Sequence, residues 1–208
     1  MLTYEMEVWQ TGVARVAGVD EAGRGPLAGP VYAAAVIFDS TSFPVAADEW
    51  EGLTDSKQLT FQQRETFFMR LTQHPRVQYA IAECSVEDID RLNILRATQA
   101  AMARALSMLE PLPDIALVDG LPVVGLPCAS RAIVKGDSAS LSIAAASVLA
   151  KVARDRFMMQ LDSEYPGYGF AQHKGYGTRA HMEALRMLGP CPQHRRSFSP
   201  VAQRLFDF

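Results

Sequence analysis

The chain is poor in the features that mark membrane, secreted and repetitive proteins. No apolar run among its 208 residues is long enough to cross a bilayer. The opening residues, Met1-Leu2-Thr3-Tyr4-Glu5-Met6-Glu7, show no basic segment leading into an apolar one, so no secretory signal is expected. Cysteine is scarce. Cys84, Cys128 and Cys191 stand apart without metal-type spacing, and an odd, sparse set fits a reducing, cytoplasmic compartment. Repeats, low-complexity tracts and linkers are also missing. With 49% hydrophobic and 21% charged residues, the composition is that of an ordinary globular chain with a full core. Positive charge is in short supply: the net charge of −3, taken alone, speaks against a nucleic-acid partner. Its distribution says more. Residues 1–150 carry 11 Lys/Arg against 18 Asp/Glu, a net −7, while residues 151–208 carry 9 against 5, a net +4. An acidic body with a basic last quarter suits metal ions in one part and phosphates in the other.

What is present is most informative between Gly18 and Pro30. The run Arg15 to Val19 reads as a buried strand that the glycines stop. Asp20 and Glu21 stand side by side at its end, and adjacent carboxylates repel unless a cation or proton lies between them. Hard divalent cations prefer oxygen ligands, so the pair looks like half of a magnesium or manganese site. Gly23-Arg24-Gly25 follows at once, leaving backbone N–H groups bare close to whatever the metal holds. A phosphate or sugar backbone is the partner such a combination suggests.

Further strands are expected at Gly29–Phe38, Val77–Cys84, Ile115–Val118 and Arg131–Val134. Helices are expected at Thr60–Thr72, with Gln63 completing a capping box, at Asp88–Leu109, at Ser138–Leu161 and at Thr178–Met187. Strands first, then helices alternating with strands, give an α/β domain with a mixed central sheet. Residues 1–160 would form its body, and residues 161–208 a helical extension packed on it. Asp20-Glu21, Asp119 and Asp137 all fall at or just after strand ends, where sites gather in open α/β sheets. Each has an ordinary alternative: a glycine turn for Asp20, Glu21 and Asp119, a helix cap for Asp137. Four acids in one place would need cations, and two divalent ions would neutralise them and leave room for substrate oxygens.

Other residues have two readings each. Lys57, in Asp55-Ser56-Lys57, suits a phosphate contact or a solvated loop. Lys151 and Asp155 read as a surface ion pair one helical turn apart. Tyr165, Tyr168, Phe170 and Tyr176 lie among glycines beside His173-Lys174, as a stacking platform or a packed loop. His194-Arg195-Arg196 reads as a phosphate contact or a solvated charged loop.

Taken together, these motifs resemble the ribonuclease HII family, the type 2 ribonucleases H, from about Val16 to about Pro200. The resemblance rests on Gly18 to Pro26, Asp55-Ser56-Lys57, Asp119-Gly120, Lys135-Gly136-Asp137, the helix Ile143 to Asp155, and His173 to Thr178. It implies a ribonuclease H-like sheet flanked by helices, with a helical C-terminal extension. It further implies cleavage of RNA in RNA–DNA hybrids and incision 5′ of single ribonucleotides in duplex DNA, leaving 3′-hydroxyl and 5′-phosphate ends. By the same resemblance Asp20, Glu21, Asp119 and Asp137 hold two Mg2+ or Mn2+ ions. Gly23, Arg24 and Gly25 contact the 2′-hydroxyl through the backbone, Tyr176 stacks at the RNA-to-DNA junction, and Lys57 holds phosphate. A monomer is the expected state. Gln203-Arg204-Leu205-Phe206 loosely resembles a sliding-clamp-binding peptide. The rival readings are a non-catalytic hybrid-binding module, which would need a broken acid set, and a metal-free two-carboxylate glycosidase.

Overall fold

The computed structural model describes residues 1–42 and 47–204. Five strands form one mixed sheet: β1 (Val16–Ala22), β2 (Val31–Phe38), β3 (Val77–Cys84), β4 (Ile115–Asp119) and β5 (Ala129–Ile133), in the order β3-β2-β1-β4-β5. The first three run antiparallel, whereas β4 pairs parallel with both β1 and β5. Eight helices accompany them among the described residues: α1 (Thr3–Trp9), α2 (Phe61–Gln73), α3 (Val86–Leu92), α4 (Ile94–Ser107), α5 (Leu141–Glu164), α6 (Phe170–His173), α7 (Arg179–Leu188) and α8 (Ser199–Arg204).

The period of two along each strand sorts residues between two cores. Ala17 and Val19 of β1, Ala33 and Ala35 of β2, and Ala116 and Val118 of β4 face α4, which buries Ala97, Ala101, Met102 and Ala105 against them. Ala34 and Val36 face the other way, toward α2 and α5. Small residues on both faces of β2 let helices approach from either side. The first half of α5, Leu141 to Ala150, is buried on every side because it lies under the sheet and is covered in turn, a pattern proper to an interior helix. Its first turn crosses β1 at Gly18, where an added Cβ would sit 2.1 Å from the Ser142 carbonyl carbon. No side chain fits there, so the glycine sets how closely the helix approaches.

Several boundaries differ from expectation. The single helix expected over 88–109 is two, because Asn93 takes a left-handed φ of 71° and its side chain accepts the Arg96 N–H to cap α4. Leu95, at the start of α4, faces solvent. The helix expected from Ser138 starts at Leu141 with Ser140 as its cap, and Asp137 occupies a separate short 3-10 turn, so it does not cap that helix. β2 starts at Val31 and β5 covers Ala129–Ile133, small shifts at strand ends. α1, α6 and α8 are too short to show a period in the sequence. α5 runs unbroken through position 160, and α6 and Tyr168 pack on its last turns. No helix among the described residues is long and apolar enough to cross a membrane.

Candidate metal and nucleic-acid site

Sheet register brings the acids together. Val19 pairs with Val118, so the next residues, Asp20 and Asp119, lie abreast on the α5 face of neighbouring parallel strands. Asp119 in turn pairs with Ile133 of β5. The chain then turns through Lys135, at a left-handed φ of 56°, to deliver Asp137. Asp119 Oδ1 clasps that turn by accepting the Gly136 N–H at 2.7 Å. One carboxylate oxygen from each of Asp20, Asp119 and Asp137 falls within 4.8 Å of the others. Glu21 lines the same cleft outside this trio, with Oε1 3.3 Å from Arg24 Nη1.

The cluster is electrostatically costly. Burial pushes the Asp20 carboxyl well above the usual carboxylate range, and the charges of Glu21 and Asp119 push it further. The Ser147 hydroxyl from α5 opposes that rise, as does the Glu21 N–H, 2.7 Å from Oδ1. Ser147 is itself tied to Ser56 at 2.9 Å. Asp137 is raised by burial and then by Asp119 and Asp55, and Glu21 is raised chiefly by burial. Lys57 Nζ stands 3.7 Å from both Asp55 and Asp137. Burial lowers its pKa, but the carboxylates Asp55, Asp20, Asp137 and Asp119 outweigh this and leave it raised. Three crowded carboxylates with no histidine or cysteine among them form an all-oxygen donor set. That set fits Mg2+ or Mn2+ rather than a soft metal.

A cleft of about 360 Å³ opens above the acids. Asp20, Glu21 and Asp119 lie in its lining, Gly23-Arg24-Gly25 forms one wall, and Lys57 and Tyr176 line it too. Tyr176 is 45% exposed, and its Cε1 lies 3.7 Å from where a Gly25 Cβ would be. Asp20, Glu21, Asp119, Gly23, Arg24, Gly25, Lys57 and Tyr176 thus border this cleft, and Asp137 completes the acid trio. A hollow of similar size, about 310 Å³, lies beside Ile37, Phe38 and Pro75 but has one carboxylate, Asp39, in its lining. Size alone does not mark the site.

The family-model comparison settles the kinship: the ribonuclease HII model matches residues 17–201. This chain belongs to the ribonuclease HII family. It is similar to the ribonuclease HII of Ruegeria pomeroyi, 52% identical over 94% of this chain and 81% of that protein. The ribonuclease HII of Geobacillus kaustophilus is 49% identical over 99% and 76%. Among solved structures, ribonuclease H2 of Pyrococcus horikoshii superposes with a TM-score of 0.75 at 27% identity, covering 91% of this chain and 96% of that one. The structure described as a PCNA:RNase HII complex from Archaeoglobus fulgidus gives 0.73 at 25%, covering 88% and 95%. As a ribonuclease HII the chain is a ribonuclease H endonuclease acting on RNA–DNA hybrids, with the ribonuclease H-like fold of those neighbours.

Some residues take roles that the sequence concealed. Arg195, expected as a phosphate contact or a solvated loop residue, is fully buried, and so is His194. Arg195 donates to the carbonyls of Gly23, Arg24 and Gly29 at 2.6–2.9 Å. Arg154 is likewise buried and donates to Pro30, Lys174 and Ala28. Gly23, at φ 97°, leaves the space that the Arg154 guanidinium fills, 2.0 Å from where a Cβ would be. Lys151 lines the cleft, and its partner Asp155, 2.7 Å away, is buried, so the pair is not the surface bridge its spacing suggests. Of the aromatic group, Tyr168 and Phe170 stack on each other in the interior, and Tyr176 alone of the four reaches the cleft. The segment expected to meet a clamp runs from Gln203 into Leu205 and Phe206, which lie outside the described residues.

Proposed function

We propose that this enzyme depends on two divalent cations, Mg2+ or Mn2+, and incises duplex DNA 5′ of a single embedded ribonucleotide, besides cleaving RNA in hybrids. The observation that carries the reading is the carboxylate trio at the floor of a cleft walled by Gly23-Arg24-Gly25 and Tyr176. Asp20, Asp119 and Asp137, with Glu21 beside them, would hold the ions. When bound, such ions lower the pKa of a water nucleophile and stabilise the charge on the leaving 3′ oxygen. The protein's own groups do the selecting. Backbone N–H groups of the Gly23-Arg24-Gly25 wall would meet a 2′-hydroxyl, the group that separates RNA from DNA. Tyr176 offers a face for the sugar on the deoxyribose side of the junction. Lys57, raised and held between acids, presents a point charge to a backbone phosphate. The ends left would be 3′-hydroxyl and 5′-phosphate. That the Archaeoglobus fulgidus relative was solved with PCNA supports a clamp contact for this chain as well.

Gel electrophoresis of a DNA duplex carrying one ribonucleotide, with an all-DNA duplex beside it, tests this. Nicking on the 5′ side of the ribonucleotide is expected, abolished by chelator and restored by excess Mn2+. Undiminished nicking in chelator would refute the metal requirement.

A further inference from the structure

Behind the cleft wall lies a set of buried polar groups that touch neither the acids nor the opening. His194 and Arg195, adjacent in sequence, are both 0% exposed. Their backbone enters the fold as a bridge between Ala28 and His194, with the Arg195 N–H donating to Leu27 O and the Leu27 N–H to Gly175 O, each at 2.8 Å. One dipeptide therefore stands between the glycine wall and the loop bearing Tyr176.

Its two side chains reach in opposite directions. Among the described residues the Arg195 guanidinium forms no ion pair with a carboxylate; it donates to the carbonyls of Gly23 at 2.6 Å and Arg24 at 2.8 Å. In a trans peptide the N–H points opposite to the C=O. With the Gly23 and Arg24 carbonyls drawn inward to Arg195, the N–H groups of Arg24 and Gly25 are turned the other way, on the side of the cleft these residues line. His194 works toward the tyrosine. Its Nδ1 accepts the Cys191 N–H at 3.0 Å, which leaves the proton on Nε2. That proton is donated to His181 Nε2, 3.0 Å away, and His181 Nδ1–H donates to Tyr176 O at 2.9 Å. The chain of donors is complete only with both imidazoles neutral. Burial, the first cause, and the neighbouring histidine lower the His194 pKa to about 4, which keeps it neutral at pH 7.

We infer that His194 and Arg195 are positioning residues: together they fix the distance between the amides that meet the 2′-hydroxyl and the tyrosine that meets the next sugar, and so set the preference for a lone ribonucleotide over a continuous RNA strand. The inference rests on the reading of Tyr176 given above. A hybrid carries ribose on both sides of the cut, so it draws less on the correct spacing of wall and ring. Loosening the brace costs the lone ribonucleotide more.

The readout is the ratio of kcat/KM on a duplex with one ribonucleotide to that on a hybrid with an all-RNA strand. Tyr176→Ala gives the value expected when the ring is lost. Arg195→Lys keeps a charge but lacks the planar fork that spans several carbonyls, and it should lower the ratio about tenfold. His194→Asn keeps an acceptor for the Cys191 N–H but cannot reach His181, and it should do the same. His194→Gln places a donor near the Nε2 position and should keep most of the preference. Mn2+ affinity, measured calorimetrically without nucleic acid, should be unchanged in all three. Equal slowing on both substrates, or a wild-type ratio where Tyr176→Ala lowers it, overturns the brace. Should Arg195→Lys fail to fold, the His194 pair decides alone. If Tyr176→Ala itself leaves the ratio intact, the junction role of Tyr176 is wrong, and the claim about preference falls with it for that separate reason.

Discussion

Asp20 shows how a residue unfavourable for folding can serve a site. Its carboxyl is buried, faces two other acids and is stabilised by little more than Ser147 and one backbone N–H. Removing the charge should relieve the metal-free fold while removing one of the carboxylates proposed to hold the ions. Asp20→Asn and Asp137→Asn are therefore expected to lose cleavage by about a thousandfold or more. In chelator, urea unfolding should show each as stable as wild type or up to about 1–2 kcal/mol more so. His194 gives a second expectation. Its folded pKa of about 4 lies below the usual histidine value near 6.5, so the unfolded chain binds more protons between those values. The stability it contributes is complete above about pH 6.5 and is lost as pH falls toward 4, by up to about 3 kcal/mol. Melting temperatures across that range should fall steeply in wild type and less so in His194→Gln. The acids were legible because strand-end carboxylates next to glycine form a local pattern. Arg154, Arg195 and His181 were not, because their partners are backbone carbonyls far away in sequence, and a buried arginine bonded to carbonyls is written in the same letters as a solvated one.

At the scale of elements, β1 brings Asp20 and Glu21 to the cleft and α5 brings three more side chains. Ser147, Lys151 and Arg154 follow one another at helical spacing and all line the cleft. They are carried there by a helix whose approach is set at Gly18. Gly18→Ala should push the helix from the strand and cost more than about 3 kcal/mol in urea unfolding, with Ser147 no longer in reach of Asp20. The Asn93 corner is a milder test. Asn93→Ala loses both the cap and a residue tolerant of positive φ, at about 1–2 kcal/mol, while Asn93→Gly should lose less. Strand β3 and the capping box of α2 could be placed from sequence to within a residue because alternation and Thr60 with Gln63 are local signals. The break at Asn93 could not, since the apolar stripe continues through it and only the backbone reveals that the axis has turned.

Across the whole molecule, the match to the family model begins at residue 17, yet the fold before that point is not idle. Glu5 of α1, fully buried, accepts from Ser140 Oγ at 2.6 Å and from Ser142 N and Oγ at 2.9 and 2.7 Å. Met1 O takes the Leu141 N–H. These are the amides that open α5, two residues beyond the turn holding Asp137. A chain shortened to start at Ala17 would keep all four acids and still lose the lid on those amides. Deuterium should then enter Leu141 to Ala144 sooner, and Mn2+ should be held more weakly although no ligand has been touched. The far terminus thus works as a remote fastening for the acid that arrives last in the sequence.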